Sequence, residues 1–307
     1  MEWIVEIFRR HFRPLEPIPP DSEVFHHFAP SRMQKPPWAN QIRAVLFDLY
    51  GTLWISSSGP LEPSGNPFHR EVIRQALEAV GLRPSRWTEQ EAEVLFRVIN
   101  SMHEGRRAKG VAYPEISIAE AWSGALHQLA RWGVFSETEI QQVDRDRLAV
   151  ECEARANPLW PMPGAEQTLG RLRAHGYVLG VVSNAQFYTP SAFSALFGRG
   201  EADLGFDPCL VFYSYEHGEA KPGEKLFRLA QQELAHRQIA PPQTLHVGND
   251  MFHDIWAAHQ VGFRTVLFAG DQRSLRLRAD EARLRRFQPD AVITRLDQLA
   301  DWFCTSS

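Results

Sequence analysis

No apolar run in this 307-residue chain approaches the ~18 residues that a membrane-spanning helix needs. The N-terminus does not read as a signal peptide, because Glu2, Glu6, Arg9 and Arg10 interrupt its apolar residues. Cysteine is scarce. Cys152, Cys209 and Cys304 form neither an even set nor a CxxC spacing, which argues against a disulfide framework or a thiolate metal site. Excess positive charge is absent too: 33 Lys and Arg face 37 Asp and Glu, leaving no electrostatic case for nucleic acid or an anionic membrane surface. By default such a chain is cytoplasmic. Its apolar share of 44% and charged share of 23% are those of an ordinary globular protein, long enough for one large domain or a core with a smaller insert.

Proline is concentrated near the start. Trp3, Ile4, Ile7 and Phe8 fall at helical spacing, and then Pro14, Pro17, Pro19, Pro20, Pro30, Pro36 and Pro37 argue against regular structure. Residues 1–40 are therefore expected to be a short amphipathic helix and an extended arm. It either packs on its own domain or serves a dimer mate or another partner.

The stretch from Arg43 to Leu53 follows. Its apolar run stops on Asp48, with Gly51 three residues later. A buried parallel strand delivers an acid to the carboxyl edge of a sheet in this way, where it acts as nucleophile, metal ligand or turn cap. From about 66 to 153 the periodicity is helical, with helices expected at 68–80, 89–105, 116–132 and 137–153. Thr88 with Glu91 and Ser136 with Glu139 have capping-box spacing.

Strand–helix alternation resumes after Pro161-Met162-Pro163-Gly164. Strands are expected at 177–182, 209–213, 243–247, 264–268 and 290–293. Helices are expected at 164–175, 188–197, 223–235 and 251–261. Repeats of this kind build a parallel sheet covered on both faces, with every strand's carboxyl end on one edge.

Three further stretches fall on that edge. Ser183-Asn184 offers a hydroxyl and an amide to an anion, or simple turn chemistry. Lys221-Pro222 puts a lysine beside a helix N-terminus, which suits the dipole only if an anion lies between them. Asp250 and Asp254 stand four residues apart after Gly248. They read as hard oxygen ligands for Mg²⁺ or as a helix cap and first turn. Elsewhere, His26-His27, His246, His253 and His259 lack zinc spacing, and the Arg-rich run 273–286 reads as the solvated face of a helix.

In their order, these motifs resemble the haloacid dehalogenase-like hydrolase superfamily over about residues 42–300. Asp48-Leu49-Tyr50-Gly51-Thr52 matches its first motif, Ser183 its second, Lys221-Pro222 its third and Gly248 to Asp254 its fourth. The insert after the first strand matches the helical cap of the C1-capped subclass. The resemblance implies a Rossmann-like α/β core, 41–56 and 157–307, carrying a cap at 57–156. It implies Asp48 as nucleophile, Ser183 and Lys221 as catalytic partners, and Tyr50, Thr52 and Asn184 around a small-molecule substrate. Mg²⁺ would be held by Asp48, the Tyr50 carbonyl and Asp250 or Asp254.

Two departures stand out. Phosphatases of the family carry a second Asp where this chain has Tyr50, and that Asp is their proton donor. Tyr in that place resembles the 2-haloacid dehalogenases, which lack the acidic fourth motif kept here. Asn249 also occupies the place of the first acid after the glycine. Three readings follow. The leading one is a Mg²⁺-dependent phosphohydrolase without the usual Asp. The others are a dehalogenase, with Arg106 or Arg107 clamping the substrate carboxylate, and a non-catalytic binding protein.

Overall fold

The computed structural model describes residues 2–56 and 67–304. Six strands form a wholly parallel sheet: β1 (Ala44–Phe47), β4 (Val178–Ser183), β5 (Phe206–Tyr213), β6 (Thr244–Gly248), β7 (Arg264–Phe268) and β8 (Ala291–Ile293), in the order β5-β4-β1-β6-β7-β8. The central strands β1 and β4 are almost wholly apolar and buried because both faces are covered, whereas edge strand β5 leaves Pro208 and Cys209 exposed. In β1, Val45 and Phe47 enter one core layer, whereas Ala44 and Leu46 enter the other with Leu226, Phe227 and Ala230. β1 lies between β4 and β6, so the chain winds away on both sides and leaves a crevice at its carboxyl end.

Two short strands between these, β2 (Trp54–Ser56) and β3 (Leu159–Pro161), pair antiparallel, with Ile55 opposite Trp160. Where the chain leaves for its helical insert and where it returns are thus tied together. The expected boundary at residue 57 lies outside the described residues. Helices Pro67–Ala79, Val94–Arg107, Ile118–Arg131 and Arg145–Ala156 pack on one another in the insert. Two expected helices are each divided, at Glu93 and at Gln142–Asp144, where Asp144 starts the second piece by accepting from the Arg147 amide at 3.0 Å.

The insert is fastened to the core a second time. The Tyr113 carbonyl accepts from the Ala220 amide at 2.8 Å and the Glu115 amide donates to the Gly218 carbonyl at 3.2 Å, next to Lys221. Among the described residues no helix is long and apolar enough to cross a membrane.

The arm is spent on its own chain. Helix Glu2–His11 buries Ile4, Ile7 and Phe8 against helices Thr189–Phe197 and Arg145–Ala156, and Phe8 meets Tyr188 edge-on at 6.0 Å. Despite the prolines, the following residues form short 3₁₀ turns at 22–27, 30–33 and 39–41. Ile18 exchanges hydrogen bonds with Asp271 and Gln272, and Phe28 joins Met251, Phe252 and Ile255 in a side cluster. The apolar stripe is therefore not a free docking face. Replacing Phe8 by Ala is expected to lower the unfolding free energy by about 3 kcal/mol, as for other fully buried phenylalanines. Denaturant unfolding reads this directly, and a loss well under 1 kcal/mol would mean that the helix is only loosely held.

Candidate active site

The carboxyl edge gathers the sequence candidates around one buried cation. The Lys221 ammonium donates to Asp48 Oδ1 at 2.7 Å, to Asp254 Oδ1 at 2.5 Å and to the Val182 carbonyl at 3.0 Å. Ser183 Oγ donates to the same Asp48 oxygen at 2.9 Å. All four side chains are buried. Lys221 does not lie at a helix N-terminus as its sequence position suggests: the helix begins only at Lys225, and the anions facing the lysine are the two carboxylates.

Two carboxylates share one lysine, and the charges respond. Burial pushes Asp48 up to about 6, Lys221 opposing and Asp254 adding to the rise. Burial would also raise Asp254, but Lys221 and His246 together outweigh it and hold this acid well below the usual carboxylate range. Lys221 in turn loses by burial and gains more from Asp254 and Asp48, so it stays charged. His246, fully buried, makes only a long 3.5 Å contact to Asp254, and burial lowers its pKa.

The glycines explain how the groups come so close. A Cβ on Gly248 would sit 2.3 Å from Asp254 Cγ, so only glycine lets that acid fold back over the end of β6. Gly51 has φ +83°, and a Cβ there would meet Ser274 at 2.5 Å and Asn249 at 2.6 Å. The expected helix after β6 opens as a π-helical turn, Met251–Trp256, continued by Ala257–Gln260. Asp250 caps it: its Oδ1 accepts from the Phe252 and His253 amides at 2.8 and 3.0 Å, and its Oδ2 pairs with Arg278 at 2.6 Å.

Of the other expected residues, Tyr50 and Asn184 reach the open edge of the site, whereas Thr52 stands behind it. Thr52 is fully buried and donates to Asn249 Oδ1 at 3.1 Å. Asn184 brackets the Lys221 backbone, accepting from its amide at 2.7 Å and donating to its carbonyl at 3.2 Å. Tyr50 is half-buried, edge-on to Trp54, with its hydroxyl 2.9 Å from Thr189 Oγ1. Burial raises the pKa of that hydroxyl far above the ordinary phenol value.

A cavity of about 400 Å³ opens over Asp48, Lys221 and Asp254, within the size range of small-molecule sites. Its far wall was not anticipated from the sequence. The insert contributes Glu115 and Glu153, the returning chain Asn157, and the Arg-rich run Arg276 and Arg278. That run is not one α-helix: within it only Ala282–Leu284 are helical, as a short 3₁₀ helix. Leu275 and Leu277 alternate with Arg276 and Arg278 at a period of two, an extended pattern, and the leucines pack with Met251 and Phe252. The Met251 amide donates to the Arg276 carbonyl and the Arg276 amide to the Asn249 carbonyl, pinning the segment along the fourth motif. Neither Arg106 nor Arg107 lines the cavity.

A parallel α/β core with a carboxylate, a lysine and a hydroxyl converging on its carboxyl edge defines a class of sheet-edge hydrolases. The family model for haloacid dehalogenase-like hydrolases matches residues 42–262, and the chain belongs to that family. A glyceraldehyde 3-phosphate phosphatase of Pyrococcus furiosus is 31% identical over 141 residues, covering 46% of this chain and 53% of that protein. A ribulose-1,5-bisphosphate 5-phosphatase of Halopiger xanaduensis is 29% identical over 140 residues, covering 46% and 55%. The chain spans about half the length of these curated relatives. The solved 2-haloacid dehalogenase of Pseudomonas syringae pv. Tomato DC3000 shares the fold, with TM-score 0.56 at 24% identity over 85% of this chain and 97% of that one.

Proposed function

We propose that this protein is a Mg²⁺-dependent phosphohydrolase acting on a small phosphorylated compound through an aspartyl-phosphate at Asp48. The observation that carries the reading is the geometry at Lys221. Asp48 is held by Lys221 and Ser183 through one oxygen, while its other oxygen accepts no hydrogen bond from the described residues. That second oxygen is the attacking atom. The curated relatives with phosphatase names support the substrate class.

The chemistry of the donor set suits a hard cation in part. The Tyr50 carbonyl accepts no hydrogen bond from the described residues, and Asn249 Oδ1 takes only the rotatable hydroxyl of Thr52. Five carboxyl groups, Asp48, Glu115, Glu153, Asp250 and Asp254, line the cavity with three Lys or Arg cations, Lys221, Arg276 and Arg278. Asp254 and Asp250 are each engaged by one of those cations, and among the described residues no three His, Cys, Asp or Glu group as a metal cluster. Asp48, the Tyr50 carbonyl and Asn249 are therefore the residues we assign to Mg²⁺, with Asp250 and Asp254 behind them. When bound, the ion screens the charge of the phosphoryl group from that of the nucleophile.

Each protein group then has a task. Lys221 keeps Asp48 ionised and oriented in a site where burial alone would favour its neutral form. Ser183 fixes the carboxylate plane, and the cap wall excludes bulk water. Purified protein is expected to release phosphate from members of a panel of small phosphate esters and acyl phosphates with Mg²⁺, and to lose that activity in EDTA. Metal-independent halide release from 2-haloacids, with no phosphate release, would instead favour the dehalogenase reading that Tyr50 suggests.

A further inference from the structure

Asp48, Ser183 and Lys221 leave the leaving group without a proton donor. An alkoxide or phenoxide leaving group needs one, and proton transfer is typically worth ~10²–10⁴-fold. Tyr50 is a poor substitute, since burial holds its proton more firmly than an ordinary phenol. Asp254 is ionised against Lys221, and Asp250 is committed to Arg278 and to the turn it caps.

Two carboxyl groups of the insert face the same cavity. Glu115 takes three hydrogen bonds: Oε1 accepts from the Ile116 amide and Gln186 Nε2, and Oε2 accepts from Ser214 Oγ at 2.6 Å. It staples the insert to the core beside Lys221. Glu153 is held more lightly, by Asn157 Nδ2 at 3.1 Å and the Tyr188 hydroxyl at 3.3 Å. Among the described residues it has no Lys, Arg or His within ion-pair distance, and it lines the cavity together with Tyr50 and Asp48.

We propose that Glu153, carried over the cavity by helix Arg145–Ala156, is the catalytic acid and base that supplies the proton function missing at Tyr50. The inference rests on the phosphohydrolase reading. In the first step the bond from Asp48 to phosphorus forms, the bond from phosphorus to the leaving oxygen breaks, and that oxygen takes the proton of the Glu153 carboxyl. In the second step water attacks phosphorus and gives its proton to the Glu153 carboxylate. The bond to Asp48 breaks with its electron pair returning to the carboxylate, and phosphate leaves. Ester and water have become alcohol and phosphate, and both side chains are restored.

The surroundings of Glu153 suit this cycle. Burial is the main influence on it and pushes its pKa upward, while Asn157 and Tyr188 moderate the rise. Asn157 is itself fixed by Ser56 Oγ at 2.8 Å, at the paired strands where the insert begins, so the carboxyl is positioned from both entry and exit. Tyr188 and Cys152 beside it stay neutral, with Cys152 pushed up to about 12 mainly by burial.

The test compares wild type and Glu153→Gln on two probes of nearly the same shape, p-nitrophenyl phosphate and phenyl phosphate, with Mg²⁺ in rapid-mixing assays. Nitrophenolate leaves without a proton and phenolate leaves poorly without one. The variant is expected to release phenol at least about 10²-fold more slowly. It should keep a nitrophenolate burst, one per site, within tenfold of the wild-type rate, followed by slow turnover. Equal losses on both probes, or no loss on phenyl phosphate, would overturn the assignment. Failure of wild type to cleave either probe, or any ester of the panel, would instead sink the phosphohydrolase reading.

Discussion

Asp48→Asn is expected to abolish phosphate release, with a fall on the order of 10⁵–10⁶-fold, and to leave the protein at least as stable as wild type. The size of the loss follows from the role: a covalent nucleophile has no understudy, and removing one in other hydrolases costs about that much. The stability half follows from charge. Asp48 and Asp254 share a single lysine in a buried site, and burial already pushes Asp48 toward its neutral form. An amide of the same shape keeps the hydrogen bond from Ser183 and leaves Lys221 paired with Asp254. Phosphate release and thermal unfolding of the same preparation test both halves together. Retention of more than a few per cent of activity would place the nucleophile elsewhere, and a marked drop in melting temperature would mean that the site is not charge-frustrated as described.

The parts of this molecule that could be read from its sequence are those where a residue's neighbours in space follow from its neighbours along the chain. The strand ending at Asp48 is buried on both faces, and a short all-apolar run is the signature of that burial. Asp48 and Ser183 stand at the ends of two such strands and Lys221 follows the edge strand β5, so the parallel topology brings all three to one edge. The α/β class and the helical insert were legible for the same reason. Local chemistry did less well where a tertiary partner decides. The pairing of Trp54–Ser56 with Leu159–Pro161 spans three residues per strand across a hundred residues of sequence, too little periodicity to register. Leucine and arginine alternation at 273–278 was outweighed by the charge pattern of the longer run, although period two was there to be counted. Glu153 carried no signal, because a glutamate on a charged helix face normally meets water; only the folding of that helix over the edge turns it inward. The Asp250 position was ambiguous for a physical reason: the geometry that caps a helix and the geometry that offers oxygen to a metal begin from the same acid one residue before a turn.

The same charge argument makes Lys221 a sensitive position for stability. Lys221→Met removes the one cation between Asp48 and Asp254 and leaves two carboxylates in a site from which water is largely excluded. Breaking a buried ion pair from one side typically costs ~3–5 kcal/mol, a large share of the stability of an ordinary domain. The sign with pH follows. With the lysine gone, both acids have folded-state pKa values above their unfolded ones, so the folded form binds protons more tightly. Stability is then lost as pH rises, and the gap between variant and wild type is expected to shrink on going from pH 8 to pH 5. A merely steric effect of the methionine would show no such trend. Adding Asp254→Asn to the variant removes one of the two unpaired charges, and the double variant is expected to recover at least 1 kcal/mol of the loss, because contacting charges do not contribute additively. Denaturant unfolding of the four proteins at two pH values measures the coupling. Activity should not return with stability, since Asp48 would still lack the cation that keeps it ionised. If the double variant were instead less stable than Lys221→Met by the full cost of the second substitution, Asp254 would be stabilised by its backbone bond from Asp250 and by His246 rather than by Lys221.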